Sequence, residues 1–421
     1  MVAGVALGID LGTSGARAAV VDASGLPVAL ASAALPSGEA DRPEAWFRCV
    51  AAALAGVGAK TDLAKVRGVA VAGTSGTLVA VDASGSPLGP PAMYNAPAAP
   101  ESVAAVSRVA PDDTPARGAT SPLAKALALQ ARPGTVRLLH QADWIAGRLL
   151  GQWRWSDENN ALKTGYDPVR RRWPDWLGGT GLDTALLPEV VAPGTVLGPV
   201  DAALAARLGL GPGATVVAGT TDGCASFLAA GARTPGEGVT ALGSTLTLKL
   251  ACDRPIASPE HGVYSHRLGD VWLAGGSSNS GGAALARHFD AAALARLSAR
   301  IDPSVPSGLD YHPLPRPGER FPIADASFAP REAPRPADDA AFLHGLLEGI
   351  ARIEALGYRR LAELGAPALR SVRSVGGGAR NPAWAAIRGR LLGVPLRPAA
   401  SEEAAVGAAA LALGAFGRSA G

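Results

Sequence analysis

A strand–turn–strand unit in the first twenty-five residues constrains this chain more than any other feature. Residues 5–9 form an apolar run that meets Asp10 and the turn Gly12-Thr13-Ser14-Gly15. A second apolar run, 16–21, follows and closes at Asp22-Ala23-Ser24-Gly25. Glycines without a Cβ let such a turn lay backbone N–H groups against a phosphate, and Thr13 and Ser14 add hydroxyl donors. An acid at the end of the strand, Asp10, suits a magnesium ion held through water. No Lys follows the turn and no helix pattern begins there, which separates it from a P-loop. The residues also allow an ordinary hairpin, in which Asp and Gly serve only the backbone angles.

The turn has a twin. Gly73-Thr74-Ser75-Gly76 repeats its four residues after the apolar run 69–72, and Asp82-Ala83-Ser84-Gly85 repeats the closing turn. A meander over 4–35, a helix over 44–55 and a return hairpin near 66–82 predict an α/β layer. A helical, loop-rich middle follows over 121–168, with Asp143 and Trp144 opening one helix. A strand at 214–218 then meets Gly219-Thr220-Thr221-Asp222-Gly223, and residues 224–230 read as a helix. The turn-rich stretch 234–238 looks like a change of domain.

Beyond it the pattern restarts, with strands at 239–242 and 246–250 flanking Gly243-Ser244-Thr245. Residues 302–338 are Pro-rich and predict a long loop over a surface or cleft edge. A helix over 342–364, a strand at 371–375 and the run Gly376-Gly377-Gly378 follow, and a final helix spans about 402–413.

At 421 residues the chain is long enough for two or three domains. Lys plus Arg number 39 against 36 for Asp plus Glu, and no basic run stands out beyond Arg170-Arg171-Arg172, so nucleic acid is not expected as a partner. Cys49, Cys224 and Cys252 are far apart and odd in number, which fits a reducing compartment rather than a disulfide framework. None of the six histidines has a partner at metal-ligand spacing. No basic leader opens the chain, and residues 404–417 are too short an apolar stretch to span a bilayer. The expectation is a cytoplasmic protein without a membrane partner.

Five segments in this order resemble the FGGY family of carbohydrate kinases, within the actin-like ATPase superfamily. They are GIDLGTSGARA near the start, AGTTDG at 218–223, ALGSTLTL at 241–248, GGGARNPAW at 376–384 and EEAAVGAAALA at 402–412. Gly318-Glu319-Arg320 is similar to the family's GER loop. Longer stretches, among them LLHQADWIAGRLLG, DENNALKTGYDP and SGLDYHPLPRPGERFPIAD, resemble the short D-ribulose kinases of cyanobacteria and plants. One departure is Met93-Tyr94-Asn95-Ala96, where many family members carry a Trp-x-Asp-x-Arg type motif that grips the sugar.

The resemblance implies an α/β fold of two actin-like, ribonuclease H-like domains with a cleft between them. They would span 1–229 and 230–421, with the last helix, about 402–421, packing back on the first. It implies ATP-dependent phosphorylation of D-ribulose to D-ribulose 5-phosphate, with D-xylulose or another sugar or polyol as the alternative. A sugar-indifferent actin-like ATPase or sensor is the alternative of another class. Asp222 becomes the base that takes the proton of the attacking hydroxyl, although its place also suits a helix N-cap. Asp10, Thr74, Ser75 and Asp222 would bind the sugar, with Asp10 also holding Mg2+ through water. Gly12, Thr13, Ser14, Gly243, Ser244, Thr245, Gly376, Gly377, Asn381 and Trp384 would bind ATP, Trp384 as a pocket wall or else as a core anchor. The chain would be a monomer or homodimer.

Overall fold

A computed structural model describes residues 5–417. Among them the chain divides into two compact units, the first made of 5–229, 266–269 and 403–417 and the second of 230–265 and 270–402.

The first unit holds strands β1 (Val5–Leu11), β2 (Gly15–Val21), β3 (Pro27–Ala34), β4 (Val66–Gly73), β5 (Leu78–Val81), β6 (Arg137–His140), β7 (Trp155–Asp157), β8 (Glu189–Val191), β9 (Val196–Pro199) and β10 (Thr215–Thr221). Six of these form one sheet in the order β3-β2-β1-β4-β10-β9. β1, β4 and β10 run parallel at its centre, while β2, β3 and β9 are antiparallel to their neighbours. The expected meander is therefore present as β1 to β3. The expected return hairpin is not: β4 enters the large sheet and β5 leaves it to pair with β6. Gly76, at φ +95°, lets the chain turn away between them.

Alternation along β1 explains its burial on both faces. Leu7, Ile9 and Leu11 join Val69, Val71 and Val216 in a large core with Trp46, Val50 and Leu54 of the helix Pro43–Gly58. Ala6 faces the other way with Ala70, Ala72 and Val217, against Ala405, Ala408, Ala409 and Ala412 of the helix Ala404–Gly417. That helix lies directly on the strands, because a Cβ on Gly8 would stand 1.9 Å from the Ala405 carbonyl oxygen. A Cβ on Gly407 would stand 1.8 Å from that of Ala225. Among the described residues, no helix is long and apolar enough to cross a membrane.

The second unit repeats the arrangement of β1 to β4 and β10. Strands β11 (Glu237–Leu242), β12 (Leu246–Cys252), β13 (Tyr264–Leu268), β14 (Val271–Ser278), β15 (Ser371–Val375) and β16 (Leu396–Arg397) form a sheet in the order β13-β14-β12-β11-β15-β16. β11 is antiparallel to β12 and parallel to β15, as β1 is to β2 and β4. The helix Asp339–Glu363 covers this sheet with Phe342, Leu343, Leu346, Leu347, Ile350 and Ile353, a three-and-four spacing that makes one apolar face.

Within that core Glu354 accepts two parallel hydrogen bonds from Arg388, at 2.6 and 2.8 Å, and a third from Thr240 at 2.6 Å. The Pro-rich segment 302–338 forms no helix and does more than cover a surface. Tyr311, Leu314 and Phe321 are buried, the first and last of them in the core itself.

The close contact at Gly8 is testable. Gly8→Ala should cost about 1–3 kcal/mol through overpacking, read as a fall of about 2–4 °C in Tm per kcal/mol. Gly414 lies on the same helix with nothing within 4 Å of a built Cβ. Gly414→Ala should leave Tm unchanged or raise it. Equal melting of G8A and the parent would contradict this packing.

Candidate functional site

In open α/β sheets ligands gather beyond the carboxyl ends of parallel strands. In the first unit those ends finish together. Asp10 of β1 and Thr220 of β10 both stand in register with Ala72 of β4, so Asp10, Thr74 and Asp222 emerge from one edge. β10 reaches this place through a register shift between Val217 and Thr220. There a Cβ on Gly219 would come within 1.8 Å of the Val71 carbonyl oxygen.

Asp10 is 6 % exposed, and its Oδ1 finds no hydrogen-bond partner among the described residues. Its Oδ2 lies 3.6 Å from Arg17 Nη1, whose Nε lies 3.4 Å from Glu403. Burial above all, then the charge of Asp222, pushes the Asp10 carboxyl up to about 7, against the opposing pull of Arg17. Asp222 heads the helix Asp222–Ala230 and accepts a 2.6 Å hydrogen bond from the N–H of Gly223.

The turn after β4 is fastened from two sides. Thr74 N–H donates to Gln141 Oε1 at 2.9 Å, and its hydroxyl donates to the Leu11 carbonyl at 3.4 Å. Ser75 Oγ and Thr221 Oγ1 are buried and, like Asp10 Oδ1, lack a partner. Such atoms cost about 1–3 kcal/mol each when left unpaired, so this edge has hydrogen-bonding capacity to spare. Beside it the loop Met93-Tyr94 is held by Lys125, whose Nζ donates to the carbonyls of Met93 and Tyr94 at 2.6 and 3.1 Å. Burial, then the charge of Lys163, pulls the Lys125 amine down to about 8.

In the turn between β1 and β2, Gly12 N–H bonds the Gly15 carbonyl at 2.9 Å, and Thr13 and Ser14 are exposed.

The second unit brings two glycine turns together at the carboxyl ends of β11 and β15. Gly243 and Ser244 are exposed, and a Cβ on Gly376 would stand 2.9 Å from the carbonyl oxygen of Leu242 at the end of β11. Gly377 is exposed with nothing within 4 Å of a built Cβ.

Two residues expected at ATP have partners of their own within the second unit. Trp384 is 2 % exposed and belongs to the core. Its ring lies 2.5 Å from where Gly378 would carry a Cβ, so it supports the glycine run from beneath instead of walling a pocket. Asn381 caps the helix Pro382–Leu392 by accepting from Trp384 N–H at 3.1 Å, and its amide donates to Ser298 Oγ at 2.8 Å. Its side chain is engaged at both ends within the unit.

Arg17, Glu403, Gln141 and Thr221 were not singled out from the sequence. For Arg17 the signal existed. A hairpin closed by Gly12 and Gly15 pairs position 10 with position 17, as the register shows.

The FGGY carbohydrate kinase C-terminal domain matches residues 238–416. The chain is 30 % identical over 452 residues to the xylulose kinase of Streptomyces rubiginosus, covering 97 % of this chain and 87 % of that protein. It is 28 % identical to the autoinducer-2 kinase of Yersinia pestis (strain Pestoides F), covering 96 % of this chain and 84 % of that one. The solved xyloylose kinase from Brucella ovis superposes with a TM-score of 0.85 at 25 % identity, over 98 % of this chain and 91 % of that one. The chain thus belongs to the FGGY family of carbohydrate kinases and has that family's two-domain actin-like fold. It is a sugar kinase, and ATP is the phosphoryl donor the family implies.

The raised Asp10 carboxyl gives a pH test. The folded protein binds this proton more tightly than the unfolded chain, whose carboxyl titrates near 3.8. The contribution is complete below that value and is lost as pH rises to about 7. Asp10→Asn removes the slope, so at about pH 8 the variant should melt higher than the parent while losing turnover. A parent-minus-variant difference that stays flat from about pH 4 to pH 8 would contradict the shift.

Proposed function

We propose that this protein transfers the γ-phosphoryl group of ATP to a terminal hydroxyl of a ketopentose, with D-xylulose the first candidate. The observation that carries the substrate is the near full-length similarity to a xylulose kinase. The edge holding Asp10, Ser75, Thr221 and Asp222 supports it, since three of these four present unpaired buried polar atoms suited to a polyol. D-ribulose, to which the longer sequence segments point, is the second reading.

Phosphoryl transfer asks the protein mainly to align two oxygens and to balance charge. Asp222 takes the proton of the attacking hydroxyl. Thr74 and Ser75 orient the sugar, the backbone of Thr74 being fixed by Gln141. Thr13 and Ser14, with Gly12, offer donors to phosphate oxygens. Within the second unit, Gly243, Ser244 and Thr245 form a turn that offers donors of the same kind. Gly376 and Gly377 let the nucleotide approach the backbone, with Trp384 beneath them and Asn381 fixing the helix that follows.

Asp10 fits a magnesium ion bound through water. It offers an unpaired oxygen beside a second carboxylate, and no cluster of three protein ligands exists among the described residues. When bound, the ion would neutralise charge on the phosphates.

The test is magnesium-dependent ADP release with D-xylulose, D-ribulose, L-ribulose, glycerol or no sugar. Strong stimulation by D-xylulose is expected, and stimulation by D-ribulose alone would favour the second reading. Equal slow rates in every tube would overturn sugar phosphorylation in favour of a sugar-indifferent ATPase. Asp222→Asn should lower kcat by about 10²–10⁴-fold, and unchanged turnover would remove it as the base.

A further inference from the structure

Glu319, in the Gly318-Glu319-Arg320 loop, has no place in the reaction described so far, yet it is a buried carboxylate with four donors. It is 3 % exposed. Its Oε2 accepts from Ser278 Oγ at 2.6 Å and contacts His312 Nε2 at 3.3 Å. Its Oε1 accepts from the N–H groups of Asn279 at 2.7 Å and Arg320 at 2.8 Å. Burial alone would raise this carboxyl, but the hydrogen bonds from His312, Ser278, Asn279 and Arg320 hold it below its ordinary value.

Two of these donors lie where β14 ends, and the segment is braced further. Asn279 Nδ2 donates to the Gly318 carbonyl at 2.9 Å, and Ser278 Oγ accepts from Ser280 N–H at 2.9 Å. Ser280 Oγ donates to the Pro313 carbonyl at 2.6 Å.

The segment held in this way is fastened to the turn Gly243-Ser244-Thr245. Leu246 N–H donates to the Ser280 carbonyl at 2.7 Å, Gly282 N–H to that of Gly243 at 2.8 Å and Ala283 N–H to that of Ser244 at 3.0 Å. Backbone meets backbone here. A Cβ on Gly281 would lie 2.8 Å from the Thr245 carbonyl carbon, and one on Gly282 2.8 Å from the Gly243 oxygen. Gly281 sits at φ +134°, which other residues rarely adopt.

We propose that Glu319 is a positioning residue for ATP, which through residues 278–283 holds Gly243-Ser244-Thr245 in the shape that receives phosphate. The inference rests on the reading of that turn as a phosphate-binding turn. Glu319 touches no substrate. It sets the height and tilt of the turn, and a charged acceptor does so more firmly than a neutral amide.

The experiment compares Glu319→Gln with Gly243→Asp, which puts a carboxylate on the exposed turn. KM for ATP, KM for the sugar and kcat are measured, with Kd for a non-hydrolysable ATP analogue and Tm. A hydrogen-bonding change at a charged group of this kind predicts about a tenfold rise in KM and Kd on the ATP side for E319Q. KM for the sugar should stay within about twofold, a split that loss of stability alone would not produce. Unchanged ATP parameters, or equal rises for ATP and sugar, would overturn the inference. If G243D weakens ATP and E319Q does not, the role of Glu319 alone is wrong. If G243D leaves ATP binding intact, the turn is not a phosphate site and the inference falls with that reading. Should E319Q fail to fold, Ser278→Ala removes one donor while keeping the carboxylate. It should raise KM for ATP several-fold, and no rise would overturn the proposal.

Discussion

The first unit depends on a contact in which a helix of alanines rests on bare backbone. Gly8 of β1 and Gly407 of the helix Ala404–Gly417 bring main chains together with no room for a methyl group. The central strands are thereby closed on this face as firmly as on the face that packs against Trp46 and Leu54. A strand closed on both faces can offer chemistry only at its ends. Asp10, Thr74 and Asp222 are found at such ends, and the same closeness desolvates Asp10 and raises its carboxyl. The unsatisfied Asp10 oxygen is a cost to stability within this unit.

The second unit solves the same problem with charge. Arg388 and Glu354 are almost wholly buried, and their paired hydrogen bonds tie the helices Asp339–Glu363 and Pro382–Leu392 together. Thr240 joins them to β11, and Ser374, which accepts from Arg388 at 2.8 Å, joins them to β15. These strands carry the two glycine turns at their ends. A buried pair of this kind need not add net stability over an apolar core, but removing one partner strands the other charge. Glu319 is another buried carboxylate of this unit, held by several donors near the end of β14.

The sequence made the turn-bearing strands legible because glycine and hydroxyl residues after a short apolar run have few other uses. Helices such as Asp339–Glu363 were legible from their spacing. What escaped was set by distance along the chain. Residues 66–82 read as a strand and its return, but β5 pairs with β6, about sixty residues away, since nothing local to 66–82 records that partner. Trp384 offered a wall and an anchor on equal terms, and only packing under Gly378 decided for the anchor. The Pro-rich run 302–338 hid Tyr311, Leu314 and Phe321, because Pro313, Pro315 and Pro317 between them exclude the helix whose one face they would share. Gln141 and Glu403 act through partners 67 and 386 residues away, in hydrogen-bond and ion-pair contacts that no short motif encodes.

A sugar kinase and a sugar-indifferent ATPase part at one step, where the phosphoryl group of ATP goes either to a sugar hydroxyl or to water. The most direct measurement is phosphorus NMR of a completed reaction with ATP, magnesium and D-xylulose, following every phosphorus atom. A sugar monophosphate in equal amount to ADP, with little inorganic phosphate, is expected. ADP accompanied by inorganic phosphate alone, for D-xylulose and D-ribulose alike, would contradict it.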